Sequence, residues 1–176
     1  STRPTPHTCS IETGSTMTTE TSPAPQARPT VGAVVLTWRD RDQTAACVAH
    51  LLDGDAVSRV VVVDNEADGT IASAIPADPR LSFRELDANT GFAVGVNAGM
   101  RELLADASID QLLVINNDAT LTAADLELLR AELDRSPALG VVGPRIITPE
   151  GQEFSAGGVL SRVTWSIRQP RPGEQP

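Results

Sequence analysis

Cysteine and histidine are scarce in this 176-residue chain, two of each, and none of the four sits where chemistry would need it. Cys9 and Cys47 give neither a disulfide framework nor the close spacing of a metal knuckle. Cys47, inside a predicted helix, therefore reads as a small apolar core residue. His7 lies near the amino terminus and His50 in the same predicted helix as Cys47; no GxSxG elbow accompanies them, so Ser/His hydrolysis is unsupported. No run of 18 or more apolar residues exists, and the amino-terminal stretch lacks the apolar core of a secretory signal. No transmembrane segment is expected, and the cytoplasm is the expected compartment. Neither GxGxxG nor GKS/GKT occurs, which speaks against a nicotinamide-dependent enzyme and against a P-loop. Basic runs interleaved with aromatics are missing too, and a formal charge of −9 argues against binding nucleic acid. An acidic protein that takes an anionic substrate wants a divalent cation between the two.

What is present suits one domain. Forty per cent of the residues are apolar, enough for a core at this length. They are unevenly spread: 18 of the first 30 residues are Ser, Thr or Pro, and three prolines fall in the last seven. Neither end can bury enough apolar area to offset its ordering entropy. Residues 1–29 are predicted to be a flexible leader, 169–176 an irregular tail, and 30–168 the folded region. Met17, followed by Thr-Thr-Glu-Thr, suggests a start of translation inside the leader.

Val31 to Thr37 (VGAVVLT) is a continuous β-branched run that suits a strand covered on both faces. Asp40 or Asp42 can cap a helix to about Leu52, with Ala45, Val48, Ala49 and Leu52 on one face and Gly54 as a stop. Arg59 to Asp64 reads as a second buried strand, and Leu81 to Leu86 as a weaker one nearer an edge. A glycine-rich turn at Gly91 opens a helix to about Ala105, and Gln111 to Asn116 is another apolar strand. Thr122 and Asp125 form a capping-box-like start for a helix to Arg135 that carries Leu126, Leu129 and Leu133 on one face. Gly140 to Ile147, a Pro149-Glu150-Gly151 turn and a short run to Leu160 read as an irregular β section. Strands alternating with helices imply an α/β fold with a mostly parallel sheet and right-handed crossovers.

In such a sheet the ligand lies beyond the carboxyl ends of the strands. Three of those ends are polar: Thr37-Trp38-Arg39-Asp40, Asp64-Asn65 and Asn116-Asn117-Asp118. An aromatic ring beside a carboxylate and an amide can stack on a nucleobase and bond its imide edge, while a carboxylate on the next strand holds a cation against phosphates. Asp and Asn also favour plain turns, so each segment alone has an ordinary structural explanation. Gly91, Gly95 and Gly99 fall four apart on one helix face, which suits close helix-on-sheet packing or, at the helix start, free amides for a phosphate.

Taken together, VVLTW, VVVDNEADGT, LDANTGFAVGVNAGM, LLVINNDATL and VGVVGPRI with PEGQ and SAGGVL resemble, in that order and over about residues 31 to 160, the amino-terminal part of family 2 glycosyltransferases. The resemblance is to the bacterial rhamnosyltransferase-like branch that builds cell-wall and surface polysaccharides. It implies a GT-A (Rossmann-like) fold truncated on its carboxyl-terminal side, a nucleotide-diphosphate sugar such as dTDP-rhamnose as donor, Mn²⁺ or Mg²⁺ as cofactor, and a glycan or lipid-linked acceptor, with the protein possible at the inner face of the membrane. It implies donor contacts from Thr37, Trp38, Asp64, Asn65, Gly91, Asn97, Asn116 and Asn117, with Asp118 as the metal ligand. Asn116 stands where the family's DxD motif usually starts with Asp, and Trp38 where Tyr is common. The family's general base lies well after the DxD, and the sequence carries no matching acidic motif; Glu150 and Glu153 are not assigned that role. The alternative is a noncatalytic module that binds a nucleotide or a partner.

Overall fold

The computed structural model describes residues 30–66, 68–155, 157–160, 164 and 166–168. The predicted leader and tail, with His7, Cys9 and Met17, lie outside them. Four parallel strands form the central sheet: β1 (Val31–Thr37), β2 (Arg59–Asp64), β3 (Leu81–Glu85) and β4 (Gln111–Asn116), in spatial order β3-β2-β1-β4. β1 and β2 run in register from Gly32 opposite Arg59 to Thr37 opposite Asp64. β4 pairs with the other side of β1, setting Asn116 opposite Leu36. The three polar strand ends thus share one rim.

All seven residues of β1 are buried because helices cover both faces of the sheet. On one face Val31, Ala33 and Val35 pack with Val60 and Val62 against α1 (Arg41–Leu52), α2 (Ile71–Ala74) and α4 (Ala123–Asp134). On the other, Val34, Leu36, Val61 and Val63 meet Val96 and Leu103 of α3 (Phe92–Leu104). Period-two alternation sends neighbouring valines to opposite cores, which is why both runs are apolar throughout. Leu81 to Glu85 does form an edge strand, with its residues half-buried or exposed.

The buried stripe of α1 differs from the expected one. It is Thr44, Cys47, Val48 and Leu51, while Ala49 is exposed. Val48 belongs to both sets, and Ala45 and Leu52 are half-buried against the same core; the centre of the stripe moves because hydrogen bonding lets the polar Thr44 go inside. Asp40 does stand at the N-cap, but in a left-handed conformation and without a side-chain cap bond. The four-residue α2, in the Pro-interrupted stretch, was not expected. Thr122 and Asp125 close a full reciprocal capping box on α4. The irregular β section consists of a small antiparallel hairpin, β5 (Ile146–Ile147) with β6 (Glu153–Ser155), and a second pair, β7 (Val159–Leu160) with β8 (Ile167–Arg168).

The glycines of α3 bring it onto the sheet. A Cβ on Gly95 would lie 2.5 Å from Leu36 Cδ1, and one on Gly99 2.7 Å from Val34 Cγ1 and 2.9 Å from Val63 Cγ2. Gly91, at φ +78, is instead required by its backbone, a left-handed entry into the helix.

Candidate functional site

The end of β1 is built around strain. Arg39 and Asp40 have φ of +64 and +59, a conformation that costs residues with side chains about 1–3 kcal/mol each unless the surroundings impose it. Thr44, fully buried on the first turns of α1, supplies part of the restraint. Its hydroxyl donates to the Asp40 carbonyl at 3.1 Å, accepts from Asn117 Nδ2 at 3.0 Å and pairs with Thr37 Oγ1 at 2.9 Å. A threonine has one proton to give, so Thr37 must be the donor in that last bond. Asn117 Nδ2 also reaches the Arg39 carbonyl at 3.2 Å, which ties the β4 end to the β1 turn. The turn presents Trp38, 52% exposed, with the Arg39 guanidinium 4.5 Å from its ring centroid. That cation–π contact covers only one face of the indole.

At the end of β2 the two neighbouring side chains divide. Asn65 is buried and tied to the loop ahead of α3: its Oδ1 accepts from the Thr90 amide and hydroxyl at 2.9 and 3.3 Å, and its Nδ2 donates to Asn89 Oδ1 at 3.1 Å. Asn89 Oδ1 in turn accepts from the Gly91 amide at 2.9 Å. Asn65 therefore shapes the loop ahead of α3, and the Gly91 amide is committed inside that loop. Asp64 is only 2% exposed, and its Oδ1 accepts from the Glu66 amide at 2.9 Å. Its Oδ2 has no hydrogen-bond partner among the described residues. A buried acceptor left in that state costs about 1–3 kcal/mol, and Oδ2 is the one buried side-chain oxygen or nitrogen without a partner among the described residues.

The end of β4 carries Asn116 and Asp118, both exposed, and the half-buried Asn117. The Asn116 carbonyl accepts from the Ala119 amide at 3.2 Å and from Cys47 Sγ at 3.6 Å. Burial pushes the Cys47 thiol up to about 11, and the negative charge of Asp118 adds to the shift. Among the described residues no three His, Cys, Asp or Glu side chains converge as a metal cage. Mg²⁺ and Mn²⁺ sites of this kind take one or two carboxylates and complete their shell with water and substrate phosphates. Asp118 is the exposed carboxylate at this strand end that could hold such a cation.

Asn97 stands apart from the rest. It is exposed, about 9 Å along α3 from Gly91, on the side of the helix away from Gly95, Val96, Gly99 and Leu103, which face the sheet. Thr44, Asn89 and Thr90 hold the rim together yet were not singled out from the sequence. Thr44 had a signal, since it precedes Cys47, Val48 and Leu51 at helical spacing. Phe92, the first residue of α3 and 54% exposed, follows Gly91 at the same rim. An open recess of about 390 Å³ lined by Thr30, Ser58 and Ala123 lies at the amino ends of β1 and β2, the wrong edge for ligands of a parallel sheet.

The geometry can be set beside known proteins. Residues 33–171 match the family model described as Glycosyl transferase family 2. The chain is similar to the low-salt glycan biosynthesis hexosyltransferase Agl10 of Haloferax volcanii, 27% identical over 115 residues that make up 59% of this chain and 37% of that protein. It is also similar in fold to the mannosyltransferase PcManGT from Pyrobaculum calidifontis, solved in complex with GDP-Man and Mn²⁺, with a TM-score of 0.51 at 21% identity over 74% of this chain and 39% of that one. The chain thus spans under two-fifths of the length of either protein. With the match covering most of its residues and a mostly parallel, helix-flanked sheet of the GT-A kind, the chain belongs to glycosyl transferase family 2.

Proposed function

We propose that this rim is the donor site of an inverting glycosyltransferase that uses a nucleotide-diphosphate sugar. The observation that carries the reading is the buried, unpartnered Asp64 Oδ2 at the end of β2, opposite Thr37, the residue before the exposed Trp38. A nucleobase that stacks on the indole and offers an imide or amide N–H completes the missing bond. The Glu66 amide holds the other Asp64 oxygen, and Asn65 and Asn89 keep the neighbouring loop in place. Asn116, exposed at the end of β4, is available to a ribose hydroxyl, and Asp118 faces the diphosphate through Mg²⁺ or Mn²⁺. When bound, that cation offsets the negative charge that develops on the departing nucleoside diphosphate. An acceptor hydroxyl attacks the anomeric carbon from the opposite face, with a general base taking its proton; no described residue is assigned as that base. The donor is a hexose or deoxyhexose nucleotide, with dTDP-rhamnose suggested by the resemblance to the rhamnosyltransferase-like branch, and the product is a cell-wall or surface polysaccharide.

Calorimetric titration with UDP, dTDP and GDP, with and without Mn²⁺, tests the reading. The wild type should bind one nucleotide more tightly with Mn²⁺. Asp118→Ala should lose the Mn²⁺ dependence while keeping the weaker metal-free binding. Asp64→Asn should weaken binding under both conditions by roughly 10- to 150-fold, the worth of one hydrogen bond to a charged group. Failure of the folded wild type to bind any of the three would refute the donor site and favour a noncatalytic module.

A further inference from the structure

We infer that Asn117 is a positioning residue, a clamp that fixes the left-handed turn bearing Trp38 rather than a contact to the sugar nucleotide. The inference rests on the proposed donor role of Trp38 and deepens it. Asn117 is the middle residue of the polar triplet at the end of β4, and both flanking side chains are exposed whereas its own is half-buried. Its Nδ2 carries two protons, and two acceptors lie in reach across the sheet: the Arg39 carbonyl at 3.2 Å and Thr44 Oγ1 at 3.0 Å. With both protons directed inward, only an acceptor oxygen remains for a ligand, and phosphate oxygens are acceptors too. A direct diphosphate contact through this amide would require breaking the clamp.

The clamp has something to hold. Arg39 and Asp40 occupy adjacent left-handed positions without glycine, and such a turn persists only where neighbours impose it. Asn117 grips the first of these residues through its carbonyl, and Thr44 grips the second through the Asp40 carbonyl. Asn117 and Thr44 are bonded to each other, and Thr44 to Thr37. The ends of β1 and β4 and the start of α1 therefore form one polar hub, and the indole and the guanidinium stacked on it both issue from the turn that the hub fixes. Loss of the amide frees the Arg39 carbonyl, and the Trp38–Arg39 pair loses the fixed orientation the turn gives it.

Trp38 itself reports on this. In a Trp165→Phe background it is the sole indole of the chain. Asn117→Ala and the isosteric Asn117→Asp, which lacks both protons, are compared with the parent by near-UV circular dichroism and iodide quenching, first without nucleotide. Far-UV circular dichroism and a cooperative urea transition establish folding, and Asn117→Asp serves where the alanine variant does not fold. The expected result is loss of the near-UV band, at least twofold easier quenching, and then nucleotide affinity at least tenfold weaker that still improves with Mn²⁺. Thr44→Val should produce the same Trp38 change, and adding it to Asn117→Ala should change little more, since both cut one network. An unchanged Trp38 signature in a folded Asn117 variant would overturn the clamp, as would loss of the Mn²⁺ effect, the mark of a metal-site contact. If the wild type binds no nucleotide, the donor-site reading fails, while the nucleotide-free Trp38 signals still decide the clamp.

Discussion

Substituting alanine at Gly99 and at Gly95 separates two kinds of close contact. At Gly99 the new methyl would meet Val34 Cγ1 at 2.7 Å, Val63 Cγ2 at 2.9 Å and Val34 Cγ2 at 3.2 Å. Both valines are fully buried in the middle of the sheet, and a β-branched side chain has little freedom at χ1. The helix must therefore lift away from the sheet, and overpacking of this kind costs about 1–3 kcal/mol. Removing a mid-helix glycine returns about 0.8–1 kcal/mol of helix propensity, which leaves Gly99→Ala destabilised by up to roughly 2 kcal/mol. At Gly95 the closest atom is the end of one leucine, Leu36 Cδ1 at 2.5 Å, with the next atoms at 3.5 and 3.6 Å. Leu36 can turn about χ2 at a cost of about 0.5–1.5 kcal/mol, so propensity nearly cancels it and Gly95→Ala stays within about 0.5 kcal/mol of wild type. Urea unfolding followed by far-UV circular dichroism, with an unchanged m-value, measures both. A Gly95→Ala protein less stable than Gly99→Ala would refute the distinction between one yielding leucine and two fixed valines.

Two further outcomes follow from the titratable groups. Burial holds the Cys47 thiol near 11, so at pH 8 about one molecule in a thousand carries the thiolate against about a quarter for a free cysteine; in a Cys9→Ser background alkylation should be at least a hundredfold slower in the folded protein than in urea, and equal rates would contradict the burial. The Thr122 hydroxyl and amide hold the Asp125 carboxyl below its ordinary value. This capping stability is fully present above the unfolded value of about 4 and is lost as pH falls through the lower folded one. Thr122→Ala should therefore cost about 1 kcal/mol at neutral pH and less in strong acid; urea midpoints that differ equally at pH 7 and pH 2 would rule out the coupled cap.

The architecture was legible wherever burial was two-sided. VGAVVLT and RVVVVD needed no partner to be recognised, because only a strand covered on both faces is apolar at every position. The capping box of α4 was legible for the opposite reason, since all its chemistry lies within four residues. The face of α1 was not, because Thr44 is buried through bonds to Thr37 and Asn117, 7 and 73 positions away. The same distance hid how the site is held together. That strand ends would be polar and shared follows from topology alone, and the three segments do meet on one rim. Which amides are tied up within the protein depends on partners such as Asn89 and Thr90, 24 and 25 residues from Asn65, and no local pattern announces them.

Those pairings bear on why an orphan acceptor persists. A polar network in a low-dielectric site is stable when every member is satisfied and costly when one is not. Around Asp64 nearly everything is satisfied: Glu66 caps its other oxygen, Asn65 holds the loop of Asn89 and Thr90, and Thr37 gives its proton to Thr44. A single buried side-chain acceptor left open among the described residues is poor design for stability, and on the proposed reading it suits a ligand that brings its own N–H. The same logic makes nucleotide and cation interdependent on the proposed reading. Asp118 is an exposed carboxylate, and among the described residues no three His, Cys, Asp or Glu side chains gather as a metal cage, so on that reading the diphosphate supplies the remaining charge. Whatever factor the cation adds to nucleotide affinity, the nucleotide must then add to cation affinity, because coupling between two sites is reciprocal. Cation binding that was tight without nucleotide would place the metal somewhere other than Asp118.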